Sequence, residues 1–334
     1  MQHAKPTKNF QYSKTKSLIR FHWKDGNWDT GRLITDDTFK ISYAATVLHY
    51  GQSAFEGLKA FRHADGSIHV FRPYENAKRM QRSCERLLMP RVDEELFVEA
   101  ICRVVKDNHE YVPAFGQGAM YIRPFIFGSA ATIGIAPSAE YEFVVLVMPV
   151  GDYYSGGTSG VNAVIWPDFD RAAPFGTGHV KAAGNYASDL LPSQKAKSNN
   201  YDIVLYLDAK TRTLIEEFGT SNFIAIDQDG NYISPKSPTI LESITNDSLR
   251  RIAETSGMQV ECRKVPLEEL KNFREIGACG TAVVITPIAN IDFQGESIWH
   301  SQVPAKRLLD IKATYQAIQN DEQEDIFSWL VKVL

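Results

Sequence analysis

Phe175–Tyr186 reads FGTGHVKAAGNY and sets one lysine, Lys181, among small residues. Glycine and alanine neighbours let a planar ligand approach the backbone closely. A lysine in a partly desolvated setting loses basicity and can join its amine to a carbonyl as an imine. Most lysines are solvated surface charges, so the stretch needs support from its surroundings. Downstream, Tyr201–Leu207, Asn222–Asp227, Met258–Val265 and Ala282–Ile288 read as strands, with a helix after Thr245. Upstream, Met120–Ile126 and Tyr141–Val150 read as strands. Pro73 precedes a helix with Met80, Cys84, Leu87 and Leu88 on one face. Asp93 can cap a second, whose stripe is Leu96, Ala100, Ile101, Val104 and Val105. Asp25-Gly26, Asp65-Gly66 and Asp229-Gly230 read as hairpin turns. The pattern predicts an α+β fold of two α/β domains: a small N-terminal one over 1–150 and a large one over 161–334 carrying Lys181. The Gly-, Ser- and Tyr-rich segment 151–160 reads as the interdomain loop.

A chain of 334 residues is long enough for two cores of this kind. Its net charge of -4 gives no electrostatic reason to expect nucleic acid or an anionic membrane as partner. The longest nearly unbroken apolar run, Phe143–Val150, is too short to span a bilayer. Cys84, Cys102, Cys262 and Cys279 form no CxxC pair, and the eight histidines do not cluster. Neither a metal site nor a disulfide framework is expected, and a reducing, cytoplasmic setting is. The first 24 residues carry six Lys/Arg and no acid, but they lack an apolar signal core, so a cleaved presequence is not expected. GTGHVK is no Walker loop, and GxSxG, HExxH and GxGxxG are missing.

Three further places can carry chemistry. In LIEEFGTSNFIAI, Glu217 sits at the mouth of a strand, where a carboxylate can pair with a protonated ring nitrogen. Glu216 and Glu217 can equally be an exposed hairpin edge. Ser243 or Thr245 can cap a helix with Leu249, Ile252 and Ala253 inward and Gly257 after it. The free N–H groups of such a helix start suit a phosphate. Gly280-Thr281-Ala282 makes a tight turn that can offer donors to a carboxylate or phosphate.

Together, and in this order, these features resemble the branched-chain aminotransferase family of fold type IV pyridoxal-phosphate enzymes. The blocks that carry the resemblance are LHYGQSAFEGLKAFR (Leu48–Arg62), VFRPYENAKRM (Val70–Met80), MYIRPFIFG (Met120–Gly128), VGDYYSGG (Val150–Gly157), VKAAGNYASDLL (Val180–Leu191) and EFGTSNFIAI (Glu217–Ile226). The resemblance implies pyridoxal 5'-phosphate as cofactor, held through Lys181. Tyr186 would meet the cofactor's phenolic oxygen and Glu217 its ring nitrogen; Arg79, Ile244, Thr245 and Thr281 would hold its phosphate. The turn at Thr281 and Ala282 would take the substrate carboxylate, helped by Tyr50 and Arg123. The side-chain pocket would draw on Phe10, Phe55, Tyr121 and Tyr153, with Ile133 and Ile135 of ATIGIAP reaching in from a neighbouring subunit of a homodimer.

The implied reaction is transamination of leucine, isoleucine or valine with 2-oxoglutarate, in ping-pong order. Apolar walls suit those side chains, and Arg123 or a tyrosine hydroxyl would meet the distal carboxylate of glutamate. Val283 and Thr286 stand where some relatives carry a CxxC pair, and Glu242-Ser243 where a Pro-Gly pair is usual. Related readings are a D-amino-acid or amine transaminase and aminodeoxychorismate lyase, which would share Lys181 and Glu217.

Overall fold

Each of the three Asp-Gly pairs joins antiparallel neighbours: Asp25-Gly26 makes a two-residue turn, and Asp65-Gly66 and Asp229-Gly230 close slightly longer loops. They connect Leu18–Lys24 to Asn27–Trp28, Leu58–Arg62 to Ile68–Phe71, and Asn222–Asp227 to Tyr232–Pro235. The computed structural model describes residues 11–151 and 160–334. Phe10, Tyr153 and the body of the 151–160 loop lie outside the described residues. The described residues group into two compact units, one of 11–151, 180–184 and 317–334, the other of 160–179 and 185–316.

The first unit is built on a nine-stranded antiparallel sheet. At its centre Ala119–Gly128 pairs with Glu140–Val150, in register from Ala119↔Val150 to Gly128↔Tyr141. Alternation along a strand sends successive side chains to opposite faces. Met120, Ile122 and Ile126 therefore enter the core, while Tyr121 and Arg123 point the other way. Helices Pro73–Arg86 and Glu94–Asp107 cover the core face, burying Met80, Cys84, Phe97, Ala100, Ile101, Val104 and Val105 against Phe143 and Val145. Leu330–Lys332 returns to pair with Ile68–Phe71 at the edge of the sheet.

Two local expectations are corrected. Leu88 does not belong to the buried stripe: the helix ends at Arg86, and Leu88 takes a left-handed φ of 51° and is 70% exposed. Asp93 holds the cap position with extended backbone, but its side chain makes no capping bond; its main-chain carbonyl accepts from Phe97 N–H at 2.9 Å.

The second unit holds a ten-stranded mixed sheet. Leu214–Phe218, Ile203–Leu207, Val161–Ile165, Val284–Phe293, Phe273–Gly280 and Asn222–Asp227 bond each to the next. The pairing Glu217↔Asn222 then joins the last strand to the first. Six strands thus close into a ring, which removes two exposed edges. Leu205, Phe218, Phe223, Ile276 and Ile288 share one core. Helix Ile244–Thr255 is capped by Ser243, whose hydroxyl accepts from Asn246 N–H at 3.1 Å, and it buries Leu249, Ile252 and Ala253. Among the described residues, no helix is long and apolar enough to cross a membrane.

Candidate active site

In the first unit the lysine stretch is fastened at three points. Phe55 N–H donates to the Lys181 carbonyl at 3.2 Å, and Ala54 and Ala182 form a β-bridge. The Lys181 N–H donates to Ser83 Oγ at 3.0 Å, and that hydroxyl in turn donates to the Arg79 carbonyl at 3.0 Å. Ser83 is completely buried on helix Pro73–Arg86. The helix thereby fixes the backbone of the lysine, while its Nζ sits 4.8 Å from the centre of the Phe55 ring. A cation over an aromatic face is held by the ring quadrupole.

Glu56 follows Phe55 and is fully buried. Its carboxylate accepts from Arg79 Nε at 2.8 Å and Nη2 at 2.7 Å, and from Asn76 Nδ2 at 2.7 Å. Burial alone would push this carboxyl up, but the Arg79 charge and its hydrogen bonds, with Lys181 adding to them, hold it below the usual glutamate range. Across the sheet face, Arg123 lies 4.7 Å above the Phe55 ring, and its Nη2 donates to Tyr121 Oη at 2.8 Å. Gly57 leaves no room for a side chain there: an added Cβ would collide with Tyr121 Oη. A cavity of about 220 Å³ opens beside these residues, lined by Tyr12, Tyr121, Arg123, Leu146, Val147 and Met148. Tyr50 Oη donates to the carbonyl of Ile133, and Ile133 and Ile135 are 61% and 90% exposed.

In the second unit Glu217 is buried, on the strand pair that closes the ring. Its Oε1 accepts from Arg171 Nη2 at 2.8 Å and from Leu241 N–H at 3.1 Å. Its Oε2 accepts from Asn222 Nδ2 at 3.4 Å. Glu216, equally buried, accepts from Ser237 Oγ at 2.7 Å and from Thr239 Oγ1. The exposed hairpin edge is thereby ruled out for both acids. Thr245 is buried at the start of its helix beside Ile244, and Thr281 and Ala282 stand half-buried in the turn between Phe273–Gly280 and Val284–Phe293. Tyr186 is half-buried in the short helix Ala183–Ala187.

The first unit thus assembles Tyr50, Phe55, Arg79, Tyr121, Arg123, Ile133, Ile135 and Lys181, and the second holds Tyr186, Glu217, Ile244, Thr245, Thr281 and Ala282. Reasoning from sequence missed Glu56 as a partner of Arg79, Ser83 beneath Lys181, and Arg171 on Glu217. Glu56 and Ser83 lay in or beside the motif blocks; Arg171 carried no signal beyond its nearness to FGTGHVK.

The donor set fits pyridoxal 5'-phosphate. The first unit offers an amine with a fixed backbone and an arginine, and the second a buried carboxylate and hydroxyls at a helix start and a turn, which are the donor types that an aldehyde, a phosphate and a protonated ring nitrogen call for. A family model described as amino-transferase class IV matches residues 53–291. The chain is 47% identical over 335 residues to the branched-chain-amino-acid aminotransferase of Haemophilus influenzae, spanning 97% of each. It is 44% identical to that of Helicobacter pylori, over 98% of this chain and 97% of that one. The crystal structure of the T.th. branched-chain amino acid aminotransferase complexed with N-(5'-phosphopyridoxyl)-L-glutamate superposes with a TM-score of 0.80 at 25% identity, covering 96% of this chain and 99% of that one.

Proposed function

The chain belongs to the class IV amino-transferase family, with its type IV fold, and from that premise we propose that it transaminates branched-chain L-amino acids with 2-oxoglutarate, using pyridoxal 5'-phosphate. The observation that carries the reading is the cluster at Lys181: an amine over the Phe55 ring, beside Tyr121 and one cation, Arg123. The near-full-length identity to branched-chain aminotransferases supplies the substrate class. The cofactor, when bound, contributes an aldehyde that joins amines and a protonated ring that accepts electrons.

Lys181 supplies the amine that holds the cofactor and afterwards moves the proton at the substrate Cα. Glu217 keeps a proton on the ring nitrogen, and Tyr186 orients the ring through its phenolic oxygen. Arg79, Ile244, Thr245 and Thr281 hold the phosphate; the helix start adds its partial positive charge to the guanidinium. Phe55 and Tyr121, with Phe10 and Tyr153, bury an aliphatic side chain, and Arg123 meets the second carboxylate when glutamate takes the same place. The turn at Thr281 and Ala282, with Tyr50, receives the carboxylate at Cα. Leucine, isoleucine and valine give up their amino group in one half-reaction, and 2-oxoglutarate takes it in the other.

The active unit in this reading is a cytoplasmic homodimer, in which Ile133 and Ile135 close the partner subunit's pocket. Two exposed isoleucines on one loop mark an interface, and two-fold pairing is the commonest symmetry. Replacing both with Asp should weaken association by light scattering and raise KM for leucine together. A fully active monomer would overturn the dimer. The function itself is tested by a donor profile with 2-oxoglutarate as acceptor. L-Leucine, L-isoleucine and L-valine should lead; preference for D-alanine or an aromatic amine would replace this reading with another fold type IV activity.

A further inference from the structure

Glu217 stands in a setting where a lone carboxylate would take up a proton. It is 3% exposed, and burial in low dielectric disfavours the charged form of an acid. A protonated acid could not keep a ring nitrogen protonated. Arg171, whose side chain is 7% exposed, meets Glu217 Oε1 at 2.8 Å. Its guanidinium is itself held in place: Nη1 donates to the Thr239 carbonyl at 3.4 Å and Nη2 to the Gly178 carbonyl at 3.3 Å. Thr239 is anchored in turn by Glu216, through its hydroxyl and that of Ser237. Two residues on, the same segment offers Leu241 N–H to the Glu217 oxygen that Arg171 holds. Gly178 completes the clamp, because a Cβ there would collide with the Thr239 carbonyl oxygen. An incidental bridge would not have both ends fixed this way.

We propose that Arg171 is a positioning residue for the reaction: clamped by Thr239 and Gly178, it aims and charge-balances Glu217, and through Glu217 governs the proton on the cofactor's ring nitrogen. Glu216 serves the same end one step further out, by holding the 237–241 segment on which the clamp rests. Arginine suits the task because it stays charged at every relevant pH and presents a rigid fork of donors. The inference rests on the reading of Glu217 as the acceptor of that ring nitrogen.

The test uses holoenzyme reconstituted with pyridoxal phosphate isotope-labelled at the ring nitrogen. The variants are Arg171→Met, Arg171→Lys, Glu217→Gln and the double variant Arg171→Met/Glu217→Gln. Two readouts are taken: the ring-nitrogen resonance, which reports its protonation, and the single-turnover rate with L-leucine. Arg171→Met should move the resonance toward that of an unprotonated ring and slow the single turnover about tenfold or more, the scale of one lost buried hydrogen-bonded partner. In the Glu217→Gln background the same change should add less than about twofold, since a residue acting only through Glu217 has nothing further to lose. Arg171→Lys, which keeps the charge but not the fork, should recover part of both signals, and it carries the test if Arg171→Met does not fold. A wild-type resonance and rate in both Arg171 variants, while Glu217→Gln is impaired, would overturn the proposal alone. So would a full additional loss in the double variant. If Glu217→Gln itself changes neither readout, the underlying assignment of Glu217 fails, and this inference with it.

Discussion

Among the described residues each unit holds a glutamate–arginine pair with both side chains buried, Glu56–Arg79 and Glu217–Arg171, and the two are built differently. In the first unit Glu56 is bonded from a single helix by Asn76 and Arg79, three residues apart and one turn along the same face. In the second, Glu217 is held by groups brought from far along the chain, Arg171 and the Leu241 N–H, together with Asn222 across the adjacent turn. The first pair fastens helix Pro73–Arg86 to the strands ahead of it, and the same helix carries Ser83 under Lys181. The second pair lies where a ring of strands closes, and in the proposed reading its carboxylate meets the cofactor. In that reading the first pair anchors the helix that brings up the phosphate-binding arginine, and the second sets the protonation state of the cofactor's ring nitrogen.

The sharpest way to break that contrast is to neutralise each acid. Glu217→Gln should slow Cα deprotonation about a hundredfold, as loss of a preorganised charge at a reacting centre does. Glu56→Gln should leave the rate per bound cofactor within about threefold, as for a structural hydrogen bond lost away from the reacting atoms. Stopped-flow single turnovers on cofactor-saturated protein measure both, and equal losses would show that the two pairs do the same work. The order reverses for stability. Arg79→Met leaves Glu56 buried without its cation and should destabilise the fold by about 3 kcal/mol or more in urea unfolding.

Acid titration sharpens the same point. Because the folded carboxyl of Glu56 is held below its ordinary value, its contribution to stability is complete above the ordinary glutamate pKa. It is lost as the pH falls through the lower folded value. Stability of the wild type should therefore drop with acidification through and below the usual carboxylate range, and Glu56→Gln should flatten that slope. A parallel slope in the variant would remove Glu56 from the account.

The contrast also explains what the sequence made legible. Periodic features read well. The helix from Pro73, the strands Ala119–Gly128 and Glu140–Val150, and the Ser243 cap announce themselves in local spacing, as do the hairpins. Lys181 and Glu217 stood out because small or turn residues flank them. Arg171 did not, because a loop residue whose partners are the carbonyls of Gly178 and Thr239 leaves no period to detect. Ring closure through Glu217↔Asn222 was hidden for the same reason: it depends on parallel pairings of Val161–Ile165 with strands far along the chain. The return of Leu330–Lys332 to the first sheet carries no local mark either. Leu88 misled by fitting a helical stripe past the last helical residue, where the backbone had already turned left-handed.

The smallest expected effect concerns the cysteines, of which each unit buries one. Burial pushes the Cys84 thiol up to about 12 and raises Cys279 further still, with the Glu217 charge adding to the rise. Both should resist a thiol reagent in the native protein, while Cys102 and Cys262, half-buried, should react first. Mass spectrometry after brief alkylation would show the order. Early labelling of Cys279 would mean that the second unit opens more readily than its buried ion pair suggests.

The central claim is that Lys181 holds a pyridoxal cofactor which takes the amino group of leucine. It is tested most directly by titrating the reconstituted protein with L-leucine alone and following the visible absorbance of the lysine-bound cofactor. That absorbance should disappear with release of one equivalent of the 2-oxo acid per site, return on adding 2-oxoglutarate, and be absent from the start in Lys181→Ala. An absorbance that L-leucine leaves untouched, or one that persists in Lys181→Ala, would contradict it.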